Sequence, residues 1–186
     1  MLGNEIHIMW GEIIFSLLFL YGIRFLIDQY LVKEYKKILE DFYSNKWTGI
    51  YEKIERCQKV SDIFSNGPWN KNNRWIYNNL CIIRASIFYV NGDILSFLKN
   101  LDNIKKEKDF ELKAFLLFLY YYSEKNEDKI SKYYYEYLKT VQENKDIATV
   151  IHVLMGTHEY MQETNFEEAI KNFKNPAIIE LFKKIR

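Results

Sequence analysis

Two histidines and two cysteines are the residues of this 186-residue chain whose types and spacing could support metal or nucleophilic chemistry. His152 and His158 are six residues apart, so on one helix they would point to nearly opposite faces and could not hold one metal ion. Cys57 and Cys81 lack the close spacing of redox dithiols and zinc knuckles. Their apolar neighbours predict two small buried residues in a reducing compartment, with a disulfide between helices as the alternative.

Motifs for phosphate binding and nucleophilic catalysis are missing from the sequence. No HExxH or G-x-S-x-G motif occurs, and the glycines stand alone rather than in a phosphate loop. Acidic pairs such as Glu167 and Glu168 are typical of a solvated helix face. The sequence therefore predicts no catalytic residue, no metal and no cofactor, and a protein that is not an enzyme.

The composition favours helices and limits the classes of partner. Seven glycines and two prolines are too few for the turns of a β-sandwich or barrel. Apolar residues make up 48% of the chain, which excludes a disordered protein. The formal charge of +1 creates no field that would attract nucleic acid. We predict an all-α protein with no nucleic-acid partner, and the frequent Asn, Lys, Ile and Tyr are compatible with an AT-rich bacterial genome.

The N-terminal segment carries the most specific pattern in the chain. Residues 8–27, IMWGEIIFSLLFLYGIRFLI, are charged only at Glu12 and Arg24. As a helix they would measure about 30 Å, the thickness of bilayer hydrocarbon. Twelve of them are Leu, Ile or Phe, and together these favour insertion by about 4 to 7 kcal/mol. We therefore predict a membrane anchor over residues 1–28. The residues predicted to form it include Trp10, Phe15, Leu18, Phe19 and Arg24.

The charges around this segment predict its orientation. It has no Lys or Arg before it, and a cleavage site of small residues does not follow it, which disfavours a secretory signal peptide. By the positive-inside rule, the anchor crosses the membrane once and leaves the C-terminal domain in the cytoplasm. The alternative is a core helix of a soluble protein. Under either interpretation Arg24 and Asp28 are expected to form an ion pair. The basic residues that set the orientation are Arg24, Lys33, Lys36 and Lys37.

The rest of the chain, residues 29–186, predicts consecutive amphipathic helices. The first helix continues to about Tyr43, because apolar residues expected on its buried face recur at steps of three and four. They are Tyr30, Leu31, Tyr35, Ile38, Leu39 and Phe42. Gly92 and Asp93 are expected to end one helix and begin the next, and Ser61 to Asn73 is predicted as the longest loop. Further helices are predicted around residues 47–57, 74–90, 94–104, 110–122, 129–142, 147–161 and 166–173, and from Pro176 onward.

Alignment of the hairpin turns reveals a degenerate internal repeat. Phe97, Ile130 and Ala169 share one early position in a second helix, at intervals of 33 and 39 residues. An earlier pair, placed at Ile50, precedes Phe97 by 47 residues. The residues four positions further on are Ile54, Leu101, Tyr134 and Phe173.

This pattern resembles tetratricopeptide-like (TPR-like) repeats, whose helix–turn–helix units are about 34 residues long. Residues 164–170, TNFEEAI, look like the turn of that family into its second helix, with the small residue at Ala169. Ala85 and Phe88 resemble the small and aromatic positions of a first helix. The resemblance covers roughly residues 30–186 and implies a short solenoid of stacked hairpins with a concave groove for a peptide. Ordinary antiparallel hairpins predict much the same pattern.

Two tyrosine runs, Tyr120–Tyr122 and Tyr133–Tyr135, suggest a binding surface. Three consecutive residues cover about 300° of a helix, so some of these rings must face outward. They either pack against neighbouring hairpins with their hydroxyls at the rim, or form a ligand surface. The residues predicted to bind a protein or peptide partner are Tyr121, Tyr122, Lys132, Tyr133 and Tyr135.

Together these patterns predict a membrane-anchored, cytosol-facing adaptor or scaffold that binds a protein or peptide. One alternative is an immunity-type or regulatory membrane protein that acts against a toxin or on transport machinery. Another is a soluble helical enzyme or effector with residues 8–27 in its core. The sequence does not specify the partner or the oligomeric state.

Overall fold

The computed structural model of the chain describes the backbone of residues 2–64, 71–105, 111–135, 151, 154–155, 170 and 176–185. It describes their side chains from residue 14 onward, Glu111 excepted. These residues form bounded α-helices and contain no strand, so the predicted all-α class is confirmed. The helices are α1 (Leu2–Tyr43), α2 (Ile50–Phe64), α3 (Lys71–Asn91), α4 (Ile94–Asp102), α5 (Glu111–Ser123), α6 (Glu127–Tyr133) and α7 (Pro176–Lys183).

The long helix α1 ends at Tyr43, as its apolar spacing predicts. The chain leaves the helix through Asn45, whose φ of 57° is left-handed. The Asn45 N–H donates to the Phe42 carbonyl at 3.1 Å, and the Lys46 N–H donates to the Asp41 carbonyl at 2.9 Å. These two bonds satisfy carbonyls that the helix end would leave without partners.

The same turn ends α3 and α5, at Gly92 and Lys125, which are 33 residues apart and have φ values of 80° and 55°. At each turn the N–H of the left-handed residue donates to the carbonyl three residues before it. The N–H of the next residue donates to the carbonyl five residues before it, and all four bonds measure 3.0 to 3.1 Å. The next residue then caps the following helix. Asp93 accepts from the Ser96 N–H at 3.1 Å, and Asn126 accepts from an N–H at the equivalent position at 3.2 Å. The roles predicted for Gly92 and Asp93 are confirmed.

The positions of the predicted repeat are equivalent in two hairpins. Phe97 and Ile130 are both buried, and each is the fourth residue of its helix. The third pair of repeat positions, Ala169 and Phe173, lies outside the described residues. The described residues therefore show two equivalent turns rather than a complete repeat array.

Two tyrosine hydroxyls bond to backbone carbonyls at equivalent distances along the chain. The Tyr89 hydroxyl, near the end of α3, donates to the Leu119 carbonyl of α5 at 3.3 Å. The Tyr122 hydroxyl, near the end of α5, donates to the Leu154 carbonyl at 3.2 Å. Both bonds join a tyrosine to a backbone carbonyl about 30 residues ahead, and the Tyr89 bond holds α5 beside α3.

Helix α3 separates two hydrophobic cores. The α5 core includes every residue of Ala114–Leu119, so the prediction that this apolar helix is central is confirmed. The remaining buried members of the α5 core are Ile82, Ala85, Tyr89, Phe97, Leu101, Ile130, Ile151, Leu154, Leu181 and Phe182. The α1 core joins α1, α2 and the other face of α3. Its buried members are Leu31, Tyr35, Ile38, Phe42, Ile50, Ile54, Cys57, Ile76, Leu80, Ile83, Ile87 and Ala177.

The last helix, α7, packs back on α1 and α3. Ala177 enters the α1 core, and the Phe182 ring meets Phe115 of α5 edge-on at 5.9 Å. In a linear solenoid each unit contacts only its neighbours, so the contact between α7 and α1 differs from the predicted stack. The helical hairpins are present, whereas their arrangement as a TPR-like solenoid is not established by the described residues.

The segment predicted as the longest loop is shorter in the structure. Helix α2 continues to Phe64 and α3 begins at Lys71, so both ends of the predicted loop are helical. The polar residues that suggested a loop are buried and bonded there. The Ser61 hydroxyl donates to the Gln58 carbonyl at 3.1 Å, and the buried Asn73 amide also has a partner. Polar composition therefore misplaced these helix ends.

Candidate membrane anchor and partner surface

The outer half of α1 projects from the body of the protein. Every side chain from Ile14 to Leu26 is exposed except Arg24, which is half-buried. Leu18, at the centre of the predicted anchor, is 65% exposed, and the aromatic rings of Phe15 and Phe19 are exposed too. The Trp10 side chain lies outside the described residues. No side chain between Ile14 and Leu26 belongs to either core.

Helix α1 is long enough to serve two environments. Its 42 residues measure about 60 Å, twice the thickness of bilayer hydrocarbon. Among the described residues it is the one helix with the length and hydropathy of a membrane span, with a mean hydropathy of 1.4 in its most apolar window. The helix therefore has enough length for one half to cross a bilayer while the other half packs in the α1 core.

The change between the two environments occurs around Asp28. Its carboxylate lies 3.9 Å from Arg24 Nε, as the spacing predicts, and accepts a bond from Asn73 Nδ2 at 3.0 Å. Ile27 packs against the α1 core, and Leu31 is the first fully buried side chain. The predicted boundary between residues 28 and 29 thus falls inside one continuous helix, at the place where packing begins.

The predicted partner surface is built from both helices of the α5–α6 hairpin. The rings of Tyr121 and Tyr133 stack, with centroids 5.6 Å apart and an angle of 9° between their planes. Tyr135 follows α6 and is 62% exposed, and Lys132 is exposed in the last turn of α6. The stacked rings therefore join Tyr121 and Tyr133, whereas Lys132 and Tyr135 lie within two residues of Tyr133 in sequence and expose their side chains.

The other tyrosines of the two runs pack against the body of the protein. The Tyr122 ring packs against Phe118 at 5.9 Å, in addition to the hydroxyl bond described above. The Tyr120 ring contacts Phe97 of the preceding hairpin at 5.7 Å, and burial raises the Tyr120 pKa. Tyr134 is half-buried against the α5 core. Tyr120 thus packs on the preceding hairpin, Tyr121 stacks within its own, and Tyr135 is left as the most accessible ring of the two runs.

A small apolar cavity lies under α7. It has a volume of about 100 Å³ and is bounded by the first helices of three hairpins, α1, α3 and α5, together with α7. Helix α7 therefore covers the face that these three helices form. Residues on its walls include Tyr35, Leu39, Ile82, Leu116, Ile178 and Leu181.

The most polar cluster of the body holds the end of the α4 segment in place. The buried Asn78 side chain donates to the Lys105 carbonyl at 3.1 Å and accepts from the Lys105 N–H at 2.9 Å. Lys105 Nζ pairs with Asp62 and lies 4.6 Å from the centre of the Tyr77 ring. These contacts join α2, α3 and the segment after α4, so the charges of the cluster are used in packing.

The cysteines are free and buried, as predicted. Burial raises the pKa of Cys57 to about 11 and that of Cys81 to about 11. A thiol in this state is a poor nucleophile near neutral pH. Within the described ranges, no group of three or more His, Cys, Asp and Glu residues could hold a metal ion.

One feature of the anchor region was not predicted from sequence. The first turn of α3 reaches α1 at Asp28, and the exposed side chains of Tyr30, Ile63 and Trp75 lie at the same end of the body. Apolar spacing assigned Tyr30 to the buried stripe, and loop-like composition hid the end of α2. No family model, no curated protein and no solved structure matches the chain.

Proposed function

We propose that the protein is anchored in a membrane by the outer half of α1 and binds a protein or peptide partner from the cytoplasmic side. The observation that carries this proposal is the exposed apolar run Ile14–Leu26, which continues without a break into the buried half of the same helix. Soluble monomeric proteins rarely expose continuous apolar patches larger than a few hundred Å². A bilayer would remove this surface from water.

The charges next to the anchor support a cytoplasmic body. Lys33, Lys36 and Lys37 follow the apolar run, and no basic residue precedes it. Lys33 and Lys36 are exposed, and Lys37 is also exposed while it pairs with Glu34 at 2.6 Å. Positive side chains beside a span are retained on the cytoplasmic side.

We further propose that the hairpins stack in a TPR-like manner and present their partner surface at the α5–α6 hairpin. The equivalent turns at Gly92 and Lys125 and the hydroxyl bonds of Tyr89 and Tyr122 support such a stack. Because α7 covers the face of the first helices, the accessible surface around Tyr135 is the better site for a partner. Tyrosine offers a large contact area at a low ordering cost.

The anchor is tested by adding charge at its centre. The double variant Leu17→Arg/Leu18→Arg places two charges where each costs about 2.5 to 3.5 kcal/mol, which offsets most of the insertion energy. We expect the wild-type chain to stay in the membrane fraction after an alkaline wash and this variant to move to the supernatant. The control, Leu95→Arg/Leu112→Arg, adds the same charge at exposed apolar positions outside the anchor and should stay with the membrane. Wild-type protein in the supernatant without detergent contradicts the proposal.

The partner surface is tested by crosslinking the full chain in its native membrane. Tyr135→Ala is expected to reduce the crosslinked product several-fold while thermal stability stays unchanged, because Tyr135 is exposed. Tyr43→Ala removes another exposed tyrosine, at the end of α1, and serves as the control. Equal yields from both variants would remove Tyr135 from the site. A toxin or a transport component as the captured protein would favour the immunity-type or regulatory alternative.

A further inference from the structure

The end of the body next to the anchor is formed by the last turn of α2 and the first turns of α3. Lys53 Nζ of α2 pairs with Asp41 of α1 at 2.5 Å, which sets the register of two antiparallel helices. Ten residues back along α1 is Leu31, and ten residues forward along α2 is Ile63. Ile63 therefore lies opposite Leu31, roughly 5 Å beyond Asp28 along the helix axis.

The start of α3 lies at the same height. Asn73, in the first turn of α3, donates to Asp28 at 3.0 Å. Trp75 is two residues further along α3, which is roughly 3 Å farther from the exposed half of α1. Its ring meets the Tyr35 ring edge-on, with the ring centroids 5.3 Å apart. These contacts place Trp75 beside the α1 segment that directly follows the anchor.

Large apolar side chains are exposed at this end of the body. Ile63 is 72% exposed, Trp75 is 47% exposed and Tyr30 is 46% exposed. Trp and Tyr are enriched at the level of lipid headgroups, where an amphipathic ring contacts both hydrocarbon and water. The headgroup region extends roughly 5 to 8 Å beyond the hydrocarbon on each side, so it reaches the height of all three side chains.

The charge at this end is positive on balance, because its carboxylates, Asp28 and Asp62, are each paired with a basic side chain. Helix α3 contains no acidic residue, and Lys71 and Arg74 lie in its first turns. Lys71 is exposed and Arg74 is half-buried. The N-terminus of a helix carries a partial positive charge as well. Anionic lipid headgroups are the complementary partner for such a surface.

We propose that Tyr30, Ile63, Trp75, Lys71 and Arg74 form a second membrane contact, which seats the body on anionic lipid headgroups at the base of the anchor. This inference rests on the proposed insertion of α1, because the anchor sets the height of the membrane surface. The contact prevents the body from swinging freely and gives the tyrosine surface of the α5–α6 hairpin a defined position relative to the bilayer.

The test uses the full chain in vesicles of phosphatidylcholine and phosphatidylglycerol. An environment-sensitive dye is attached to one introduced cysteine at a time: Leu18→Cys in the anchor, Ile63→Cys at the proposed contact, or Leu95→Cys at the start of α4. All three positions are exposed. Cys57 and Cys81 remain unlabelled near neutral pH because both are buried and their pKa is raised to about 11.

Lipids with a nitroxide on the headgroup or deep in the acyl chain report the depth of each dye. We expect the acyl-chain nitroxide to quench the dye at residue 18, the headgroup nitroxide to quench the dye at residue 63, and neither to quench the dye at residue 95. Quenching at 18 without quenching at 63 overturns the second contact and leaves the anchor intact. Equal quenching at 63 and 95 overturns it as well. Absence of quenching at 18 contradicts the anchor itself.

Charge reversal tests the lipid class. In the Ile63→Cys protein, Lys71→Glu/Arg74→Glu is expected to reduce headgroup quenching at least twofold in the anionic vesicles and to leave quenching at residue 18 unchanged. Lys99→Glu/Lys129→Glu reverses two exposed charges elsewhere and should change neither signal. Equal effects of the two double variants overturn the role of anionic headgroups at this site.

Discussion

The two halves of α1 show how one helix divides between two surroundings. Residues 14–26 have apolar side chains on all sides, and nearly all are exposed. Residues 31–42 contain fewer apolar side chains, yet four of these are buried in the α1 core. They recur at steps of four, three and four, the spacing of a single helix face. These buried residues are Leu31, Tyr35, Ile38 and Phe42.

The arrangement of apolar side chains around the helix explains why one half is exposed and the other half is packed. Between the buried positions of the inner half lie charged residues such as Lys33, Glu34, Lys36 and Lys37, which point one face to water. In the outer half, Arg24 is the one charged residue between Ile14 and Leu26. A helix with one apolar stripe packs against protein on that face alone. A helix that is apolar on all sides requires apolar surroundings on all sides.

The largest expected effect is the difference in unfolding free energy between truncating a side chain of the inner half and truncating one of the outer half. Ile38→Ala removes a fully buried side chain and should lower the free energy of unfolding by about 2 to 5 kcal/mol. Leu18→Ala should change it by less than about 0.5 kcal/mol, because that side chain makes no core contact. Chemical unfolding in detergent micelles, followed by tryptophan fluorescence, measures both. Equal losses would mean that the outer half is also packed.

The inner half should also show a pH dependence through the thiol that packs on it. Burial raises the Cys57 pKa from 9.0 to about 11. Below pH 9 the thiol is neutral in both states and stability is at its full value. As pH rises to about 11, the unfolded thiol ionises first and stability falls by about 2 to 3 kcal/mol. Unfolding measured across this range should show a smaller fall for Cys57→Ala; an unchanged slope would contradict the burial of this thiol.

A smaller effect is expected at the boundary between the halves. Asn73→Ala removes the bond to Asp28 and should cost about 1 kcal/mol of unfolding free energy. It should also speed amide hydrogen exchange around residues 28–31, since the first turn of α3 then holds α1 less firmly. Asn72→Ala removes an exposed neighbour and is the control. Identical exchange in the two variants would remove Asn73 from this role.

The smallest effect is expected from the ion pair at the same level. Arg24 and Asp28 are both more than one-third exposed, and their atoms are 3.9 Å apart. Exposed pairs of this kind contribute less than about 1 kcal/mol, so Arg24→Gln should hardly change unfolding in detergent. A loss as large as that of Ile38→Ala would show that the pair belongs to the packed half.

Helix ends could be predicted where the residue at the end is of a type that favours a left-handed turn or an N-cap. Gly92 adopts a left-handed conformation that glycine tolerates, and Asp93 is a favoured N-cap, so both were identified. Lys125 occupies the equivalent position with a φ of 55°, and lysine has no preference that would indicate it. Tyr30 was assigned to the buried stripe because its spacing fits, although it is 46% exposed.

The apolar run of α1 could be predicted from sequence more fully than the tyrosine surface. The long apolar run of α1 was predicted from composition, and the structure shows that it is exposed between Ile14 and Leu26. The tyrosine runs required the structure, since three adjacent rings point in three directions. The Tyr122 hydroxyl bonds to Leu154, the Tyr120 ring contacts the preceding hairpin, and the Tyr121 ring stacks within its own.

By itself the sequence determined the helical class, the long apolar helix at the N-terminus and the cap of α4, because these depend on residues close together in the chain. Only the tertiary structure decided that α7 covers the first helices and that Asn73 reaches Asp28. Such contacts join residues far apart in the chain, and their partners are selected by how the helices fit together. That packing brings Trp75 beside α1, which its neighbours in sequence could not indicate.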